Sequence, residues 1–186
     1  MPSRKKPSSR TRVLVGGAVL ALAGAGVVGT VAASAADSTG TTPAAASARS
    51  GNLTETTHLT LDAATKAAQA AVDAAEKDGR QVSVAVVDRN GNTLVTLRGD
   101  GAGPQSYESA ERKAFTAVSW NAPTSELAKR LEQAPNLKDI PGTLFLGGGA
   151  PVTAKGAPVA GIGVAGAPSG DLDERYAQAG VAALGR

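Results

Sequence analysis

The sequence predicts an α/β domain, a two-layer sandwich in which helices pack on a mostly antiparallel, five-stranded sheet. The dipeptide Asn90-Gly91 joins two short apolar runs and is a strong hairpin signal. Apolar residues recur every three or four positions on both sides of this hairpin, as they do in amphipathic helices. Between Pro141 and Gly170, short apolar runs alternate with glycine turns. The predicted order is αββααβββα, which lacks the regular alternation of a doubly wound sheet.

The first helix and the hairpin are predicted from local patterns. Thr60 is a suitable N-cap for a helix that runs to Lys77 with an alanine-rich apolar stripe, and Asp78-Gly79 ends that helix. Residues 82–88 and 93–98 alternate as strands do. Both faces of the hairpin are fairly apolar, so we expect helices on one face of the sheet and a second subunit on the other.

The second half of the domain contains the remaining elements. A loop at 99–104 leads into a helix over about 105–120, and a third helix follows over about 123–133. Two or three strands are expected within 143–165, and a last helix begins at Asp171. Because glycine inside a strand allows close backbone approach, the run AGIGVAG predicts tight packing against a neighbouring layer.

Residues 1–35 are predicted to be a cleaved signal peptide. A basic start precedes the apolar stretch 13–31, and Ala33-Ser34-Ala35 fits a cleavage site. A retained membrane anchor is the alternative, because 19 residues could just span a bilayer. Five glycines in the stretch and the cleavage site favour the signal peptide. We therefore expect a secreted, extracellular protein that uses the general secretory route, with the route for folded proteins left open.

Removal of the signal peptide changes the charge of the protein. The whole chain has a net charge of +3, but residues 1–35 hold five of the 19 basic residues and none of the 16 acidic ones. The remaining 14 basic and 16 acidic residues give a net charge of −2. No basic stripe is left that would predict nucleic-acid binding. Residues 36–57 are rich in Ala, Ser, Thr and Gly and predict a flexible leader, so the folded domain is expected over 58–186.

Few residues of this domain are suited to haem ligation or nucleophilic catalysis. After Met1 is lost with the signal peptide, the chain has one histidine, no methionine and no cysteine. A Ser/His/Asp hydrolase would depend on His58, which lies beside the flexible leader and is poorly placed to be a rigid base. Protein ligands of haem iron are usually His, Cys, Met or Tyr, which leaves His58, Tyr107 and Tyr176. Residue type alone does not decide among these three.

Two other motifs in the sequence bear on ligand binding. Glu108 and Glu111 lie at i and i+3 on one helix face, where two carboxylates could hold a hard cation. The alternative is an ordinary surface ion pair between Glu108 and Arg112 at i+4. The glycine run 147–149 is followed by Pro151 rather than by a lysine and a helix, so it is not a P-loop.

Two long segments resemble the haem-binding HbpS/GlcG-like family, which includes the C-terminal domain of PduO-type proteins. They are VAVVDRNGNTLVTLRGDGAGPQSYESAERKAFTAVSW and GTLFLGGGAPVTAKGAPVAGIGVAGAPSGDLDERYAQAG, and the similarity spans roughly the last 130 residues. The shared motifs occur in one order: a VVDxxGxxL hairpin, a DGA loop, an AxxKAxTA helix and a GGGxPVxxxGxPVAGIGVxGA sheet. The secreted, haem-binding branch of the family is the most similar.

The resemblance implies particular ligands and partners. It places Thr143 at the haem iron, whereas the residues alone would not have distinguished Thr143 from Thr153. It also implies an exposed iron-binding motif formed by Glu108, Glu111 and the neighbouring Lys113. Family members form oligomers, often octamers, and the secreted branch implies a membrane sensor kinase as partner. Slow haem breakdown is associated with the family, and such chemistry would come from the iron itself.

These observations predict a secreted protein that binds haem and iron and acts in haem or redox sensing or in haem sequestration. The alternative from another class is a small-molecule enzyme or carrier, as in the glycolate- and propanediol-linked relatives. An exported chain without a usable acid–base histidine argues against that alternative. A third interpretation is a structural surface protein that forms oligomers and binds no ligand.

Overall fold

The computed structural model describes residues 47–185. The predicted signal peptide and residues 36–46 of the predicted leader lie outside the described residues. Within 47–185, no helix combines the length and the apolar character needed to cross a membrane. The main elements are α1 (Leu61–Lys77), β1 (Ser83–Asp88), β2 (Thr93–Arg98), α2 (Ser106–Trp120), α3 (Thr124–Lys129), β3 (Gly149–Ala154), β4 (Ala157–Ala165) and α4 (Gly170–Ala183).

The strands form one antiparallel sheet with the order β2-β1-β4-β3. β1 lies inside the sheet, where Val84 is opposite Leu97 of β2 and Val164 of β4. Every residue of β1 is buried, whereas β2 is an edge strand of intermediate exposure. The hairpin predicted at Asn90-Gly91 is confirmed, since β1 and β2 pair directly and Gly91 has a φ of 87°.

The sheet is covered on both faces by helices of the same chain, so the domain has three layers rather than the two that were predicted. α1 and α4 pack on one face, where a core of alanines meets valines of the sheet such as Val84 and Val86. α2 packs on the other face, against Ala85 and Val87. The apolar second face of β1 is therefore filled by α2, and it does not require another subunit.

α2 approaches the sheet closely because β4 presents glycine to it. A Cβ atom added to Gly163 would overlap the carbonyl oxygen of Ala110, and one added to Gly161 would overlap that of Ala114. No side chain fits between the helix backbone and the strand at these points. The close approach predicted from AGIGVAG is thus confirmed, and α2 is the neighbouring layer.

Within residues 47–185 the sheet has four strands, so the five-stranded prediction and the order αββααβββα are wrong by one strand. The missing strand was expected at the start of the 143–165 region, where residues 143–148 are irregular. Several of their backbone groups bond to side chains, as described below, and β4 contributes a hydrogen bond from the Val164 amide to the Gly148 carbonyl oxygen at 2.8 Å without forming a ladder with the segment. The third helix also ends earlier than predicted, at Lys129, and continues as a 3-10 turn over Arg130–Glu132.

Candidate functional site

The irregular segment 143–149 is held in place by side chains from three helices. Arg112 of α2 donates from Nη2 to the Thr143 carbonyl oxygen at 2.7 Å. The Leu144 amide donates at 2.7 Å to the hydroxyl of Thr116, which also lies on α2. Two further amides of the segment donate to side chains of α3 and α4: Gly149 N to Thr124 Oγ1 (2.7 Å) and Gly148 N to Glu174 Oε2 (3.3 Å). These bonds replace the ladder that a strand would have supplied.

Thr143 sits at the start of this segment with its hydroxyl proton already engaged. Its Oγ1 donates to the carbonyl oxygen of Ile140 at 2.8 Å, and the residue is only 2% exposed. A hydroxyl has one proton to donate and two lone pairs to offer. With the proton committed to Ile140, Oγ1 can act toward a further group only through its lone pairs.

An open pocket of about 360 Å³, here called the pocket beside Thr143, is lined by Leu144, the residue after Thr143, but not by Thr143 itself. Leu144 and Leu146 form an apolar part of its lining, and the Leu146 side chain is among the most exposed large apolar groups, at 57%. Gln105, Ser109 and Lys113 contribute the polar part, and all three come from the start of α2 or from its first turns. The volume is within the range of small-molecule sites, about 300–1,000 Å³. Apolar and hydrogen-bonding groups therefore share one pocket.

Lys113 and Asp173 form a buried ion pair at this pocket. Their side chains are joined at 2.8 Å, and each is about 95% buried. The Lys113 ammonium also donates to the Val164 carbonyl oxygen at 3.0 Å, while the second oxygen of Asp173 accepts from the Ala167 amide at 2.9 Å. Burial raises the pKa of Asp173, and the ammonium of Lys113 offsets part of that rise. The pair links α2 to the start of α4.

The structure places Lys113 away from the glutamate pair with which the resemblance grouped it. Five helical positions separate Glu108 from Lys113, which is a rotation of about 140° around the helix axis. Lys113 points into the buried pair with Asp173, whereas the Glu108 side chain is 77% exposed. Lys113 is therefore not a neighbour of a cation held by Glu108 and Glu111.

Glu108 and Glu111 each have a protein partner in the structure. Glu108 Oε1 lies 3.9 Å from Arg112 Nη1, as the ion-pair alternative requires. Glu111 Oε1 accepts from the Thr96 hydroxyl of β2 at 3.1 Å. Among residues 47–185, no three His, Cys, Asp or Glu side chains cluster as a metal site. A cation at this pair would have two carboxylate ligands from the chain and would need water to complete its coordination.

His58 lies at the hairpin, and it does not line the pocket beside Thr143. Its Nε2 is 2.7 Å from Thr56 Oγ1, and its Nδ1 is 4.0 Å from Asp88 Oδ2. Burial raises the pKa of Asp88, but hydrogen bonds from Asn92 and Asn90 outweigh the effect of burial. These bonds and the nearby His58 hold the pKa of Asp88 below its ordinary value. The structure therefore does not bring His58 and Thr143 together.

The two tyrosines have different surroundings. Tyr176 is 1% exposed in the core between α1 and α4, and its hydroxyl donates to Asp78 Oδ2 at 2.9 Å. Burial raises the pKa of Tyr176, and the bond to Asp78 adds to the rise. Tyr107 is 44% exposed near the start of α2. Tyr176 thus serves packing, as buried tyrosines usually do.

Sequence analysis missed the polar side chains that hold segment 143–149. Arg112, Thr116, Thr124 and Glu174 lie in helices, and their spacing has no motif that marks them as a set. Thr116 and Thr124 are fully buried in their helices. A polar residue at an inward position of an amphipathic helix is a signal in the sequence that could have identified them. Buried polar groups need partners, and here the partner is an irregular backbone.

The chain is similar to known proteins in sequence and in fold. A family model described as haem degrading protein HbpS-like matches residues 59–182. A crystal structure of Streptomyces reticuli HbpS, with two glutamates three positions apart replaced by aspartate, is 85% identical; the alignment covers 77% of this chain and 100% of that chain, with a TM-score of 0.75. A structure of a PduOC–haem complex is 29% identical over 68% of this chain and 95% of that one, with a TM-score of 0.63.

A curated relative is similar over a shorter stretch. It is a 15.0 kDa protein of Citrobacter freundii, encoded in the dhaT–dhaS intergenic region. The two sequences are 34% identical over 113 residues, which is 58% of this chain and 80% of the relative. The similarity therefore covers most of that smaller protein.

Proposed function

This chain belongs to the HbpS-like family, and from that membership we propose that it is a secreted protein that binds haem and iron and serves haem or redox sensing or haem sequestration. One observation carries the haem part of the proposal. The pocket is lined by the partly buried Leu144 and the exposed Leu146, and Leu144 directly follows Thr143, whose hydroxyl has only lone pairs to offer. An apolar, planar ligand with a metal at its centre suits both features.

Haem would lie along Leu144 and Leu146, with the iron toward Thr143 Oγ1. Because Thr143 is only 2% exposed, coordination requires the turn at 140–142 to shift. A neutral hydroxyl is a weak iron ligand, so burial of the porphyrin against the leucines would provide most of the affinity. Arg112 and Thr116 would fix the backbone of Thr143 and Leu144 during this contact. We therefore expect loose, exchangeable haem.

Haem, when bound, supplies the redox chemistry of its iron. The protein residues at the pocket would bind and orient the porphyrin and exclude water from one of its faces. Any slow haem breakdown would come from the iron rather than from a protein base.

Iron is proposed to bind at Glu108 and Glu111. The carboxylates are oxygen ligands on an accessible helix, and hard ions prefer such ligands. The Streptomyces reticuli HbpS structure carries aspartates in place of two glutamates with the same spacing, and this shared spacing supports the choice of Glu108 and Glu111. Lys113 is left out of the proposed iron site because it is buried against Asp173.

Export and assembly complete the proposal. The basic start, apolar stretch and cleavage site of residues 1–35 support secretion, and a membrane sensor kinase is the proposed partner. The exposed Ile140, Leu146 and Tyr107 support a homo-oligomer, with an octamer as the proposed state. Intact mass should show a mature protein that begins near Ala36, and light scattering should give the mass of several chains. A protein that retains residues 1–35 would contradict secretion, and a single-chain mass would contradict assembly.

The second candidate is a small-molecule enzyme or carrier. The Lys113–Asp173 pair favours it, because a buried charged pair lines a pocket of small-molecule size. Turnover or tight binding of a small metabolite, without any haem band, would support this candidate.

The deciding experiment is a titration of the full chain with hemin. A Soret band that shifts and saturates is expected for a bound haem. The single tryptophan, Trp120, is a second probe, since its ring centroid is 5.7 Å from that of Phe145, two residues after Thr143. Bound haem should quench its fluorescence in step with the Soret change. The absence of both changes would overturn the haem proposal.

A further inference from the structure

We propose that the polar part of the pocket beside Thr143 binds the carboxylate side chains of haem, so that the protein selects tetrapyrroles whose carboxylates are free. This inference rests on the proposed function, because it assumes that haem binds at this pocket. It adds a specificity site formed by Lys113 together with Ser109 and Gln105, two residues that belong to none of the ligand sets above.

The first argument is the chemistry of these three side chains. A hydroxyl, an amide and an ammonium are all hydrogen-bond donors, and all three line the pocket. The ammonium has three protons; Val164 O takes one at 3.0 Å and Asp173 Oδ2 takes another at 2.8 Å. One donor of Lys113 is left for a ligand. Donors spaced along one side of a pocket predict an anionic or strongly accepting group there.

The second argument is the distance between these donors and Thr143. Arg112 contacts Thr143 directly, and Ser109 and Gln105 precede it along the same chain by three and seven positions. At the helical rise, these separations are about 4.5 Å and about 10.5 Å along the axis. The carboxylates of haem lie at one edge of the ring, several ångströms from the iron. A ring centred near Thr143 would therefore place that edge toward Ser109 and Gln105.

The third argument is electrostatic. Asp173 also lines the pocket, but its two oxygens already accept from Lys113 and from the Ala167 amide. Its charge is therefore largely compensated, so it would repel an incoming carboxylate less than an unpaired aspartate would. Leu144 and Leu146, which line the same pocket, would cover the ring beside these donors. Ring and carboxylates thus each have a matching part of the pocket.

The experiment compares hemin with hemin dimethyl ester, which has the same ring and iron but no free carboxylates. We expect the full chain to bind hemin about tenfold more tightly than the ester, the size expected for one charge-assisted hydrogen bond. Ser109→Asp places a negative charge in the pocket and should weaken hemin binding about tenfold while leaving ester binding unchanged. Ser119→Asp, at an exposed position of the same helix, is the matched control and should change neither.

The outcomes separate this inference from the function on which it rests. Equal affinities for hemin and the ester, or an equal effect of Ser109→Asp on both, would overturn the carboxylate site while leaving haem binding intact. If neither ligand binds, the proposed function fails and the carboxylate site fails with it. An aspartate in the first turns of a helix is favourable, so the variant should fold, and circular dichroism will verify this.

Discussion

Arg112 and Thr143 lie 31 positions apart in the chain and are joined by a hydrogen bond of 2.7 Å from the guanidinium to the carbonyl oxygen. The same guanidinium lies 3.9 Å from Glu108. One side chain of α2 thus connects the proposed iron site to the segment that would carry haem. Thr143 is placed by this helix and not by pairing within the sheet.

Replacement of Arg112 should therefore weaken haem binding. Arg112→Ala removes the bond to the Thr143 carbonyl, and because Arg112 is partly exposed we expect a cost of about 1 kcal/mol, roughly fivefold in hemin affinity. Arg112→Lys keeps the charge and one donor and should restore part of the loss. Hemin titration measures both, with Arg89→Ala at an exposed site as control. Unchanged affinity in Arg112→Ala would show that α2 does not position Thr143 for haem.

Thr143 itself should matter more than His58. Thr143→Ala removes the proposed iron contact and should weaken hemin binding by about 1–2 kcal/mol, roughly tenfold, or shift the Soret band. Thr143→Ser keeps the oxygen and should behave like the unmodified chain, as should Thr153→Ala at an exposed position of β3. His58→Ala should have the smaller effect, because His58 lies at the hairpin near Asp88, whereas Thr143 directly precedes the pocket residue Leu144. A large loss in His58→Ala with Thr143→Ala unchanged would instead make His58 the ligand.

The glutamate pair should bind iron without contributing much to folding. Glu108→Gln together with Glu111→Gln removes both charges but keeps the side-chain size, so we expect ferrous and ferric iron binding to be lost. Because Glu108 is exposed and Glu111 only partly buried, the change in unfolding free energy should stay near 0.5 kcal/mol. Calorimetric titration measures binding, and Glu126→Gln is the exposed control. Iron binding that survives in the double variant would leave Glu108 as an ordinary partner of Arg112.

The packing of α2 on β4 should not tolerate a methyl group. Gly163→Ala would force a Cβ atom into the Ala110 carbonyl, so the helix or strand must move, at a cost of about 1–3 kcal/mol or more. Gly51→Ala, where no atom lies within 4 Å of the added carbon, should change stability little. Urea denaturation compares the two. Equal stability of Gly163→Ala and the unmodified chain would contradict the close contact.

Asp88 should make the hairpin sensitive to acid. Its carboxylate accepts from the Asn90 and Asn92 amides at 2.8 Å, and its pKa in the folded chain lies below the ordinary value. A lowered folded pKa stabilises the protein above the unfolded pKa, about 3.9, and this contribution is lost as the pH falls through the folded pKa. Asp88→Asn should cost about 1 kcal/mol at pH 7, and the difference should shrink below about pH 4. A difference that is constant with pH would exclude the carboxylate as its source.

Local patterns were sufficient for much of the fold. The N-cap at Thr60 is confirmed, since its hydroxyl accepts from the Ala63 amide at 3.2 Å, and the helix ends at Lys77 as predicted. The hairpin and the close approach at AGIGVAG are confirmed as well. The N-cap, the end of the first helix and the hairpin depend on residues that are neighbours in the chain, and the close approach depends on the small size of glycine. Neighbouring residues and glycine positions are both visible in the sequence.

The sequence by itself determined the α/β class, the hairpin, the ends of the first helix and the family, because these follow from residue type and short-range spacing. Only the tertiary structure decided that segment 143–148 is not a strand, that α2 covers the second face of the sheet, and that Lys113 faces Asp173 rather than the glutamates. An apolar run such as LFL has the same sequence pattern whether its backbone groups hydrogen-bond to a neighbouring strand or to buried polar side chains. The partners of that backbone, Arg112, Thr116 and Glu174, lie about 26 to 31 residues away, and a hydrogen bond across such a separation exists only once the helices have packed.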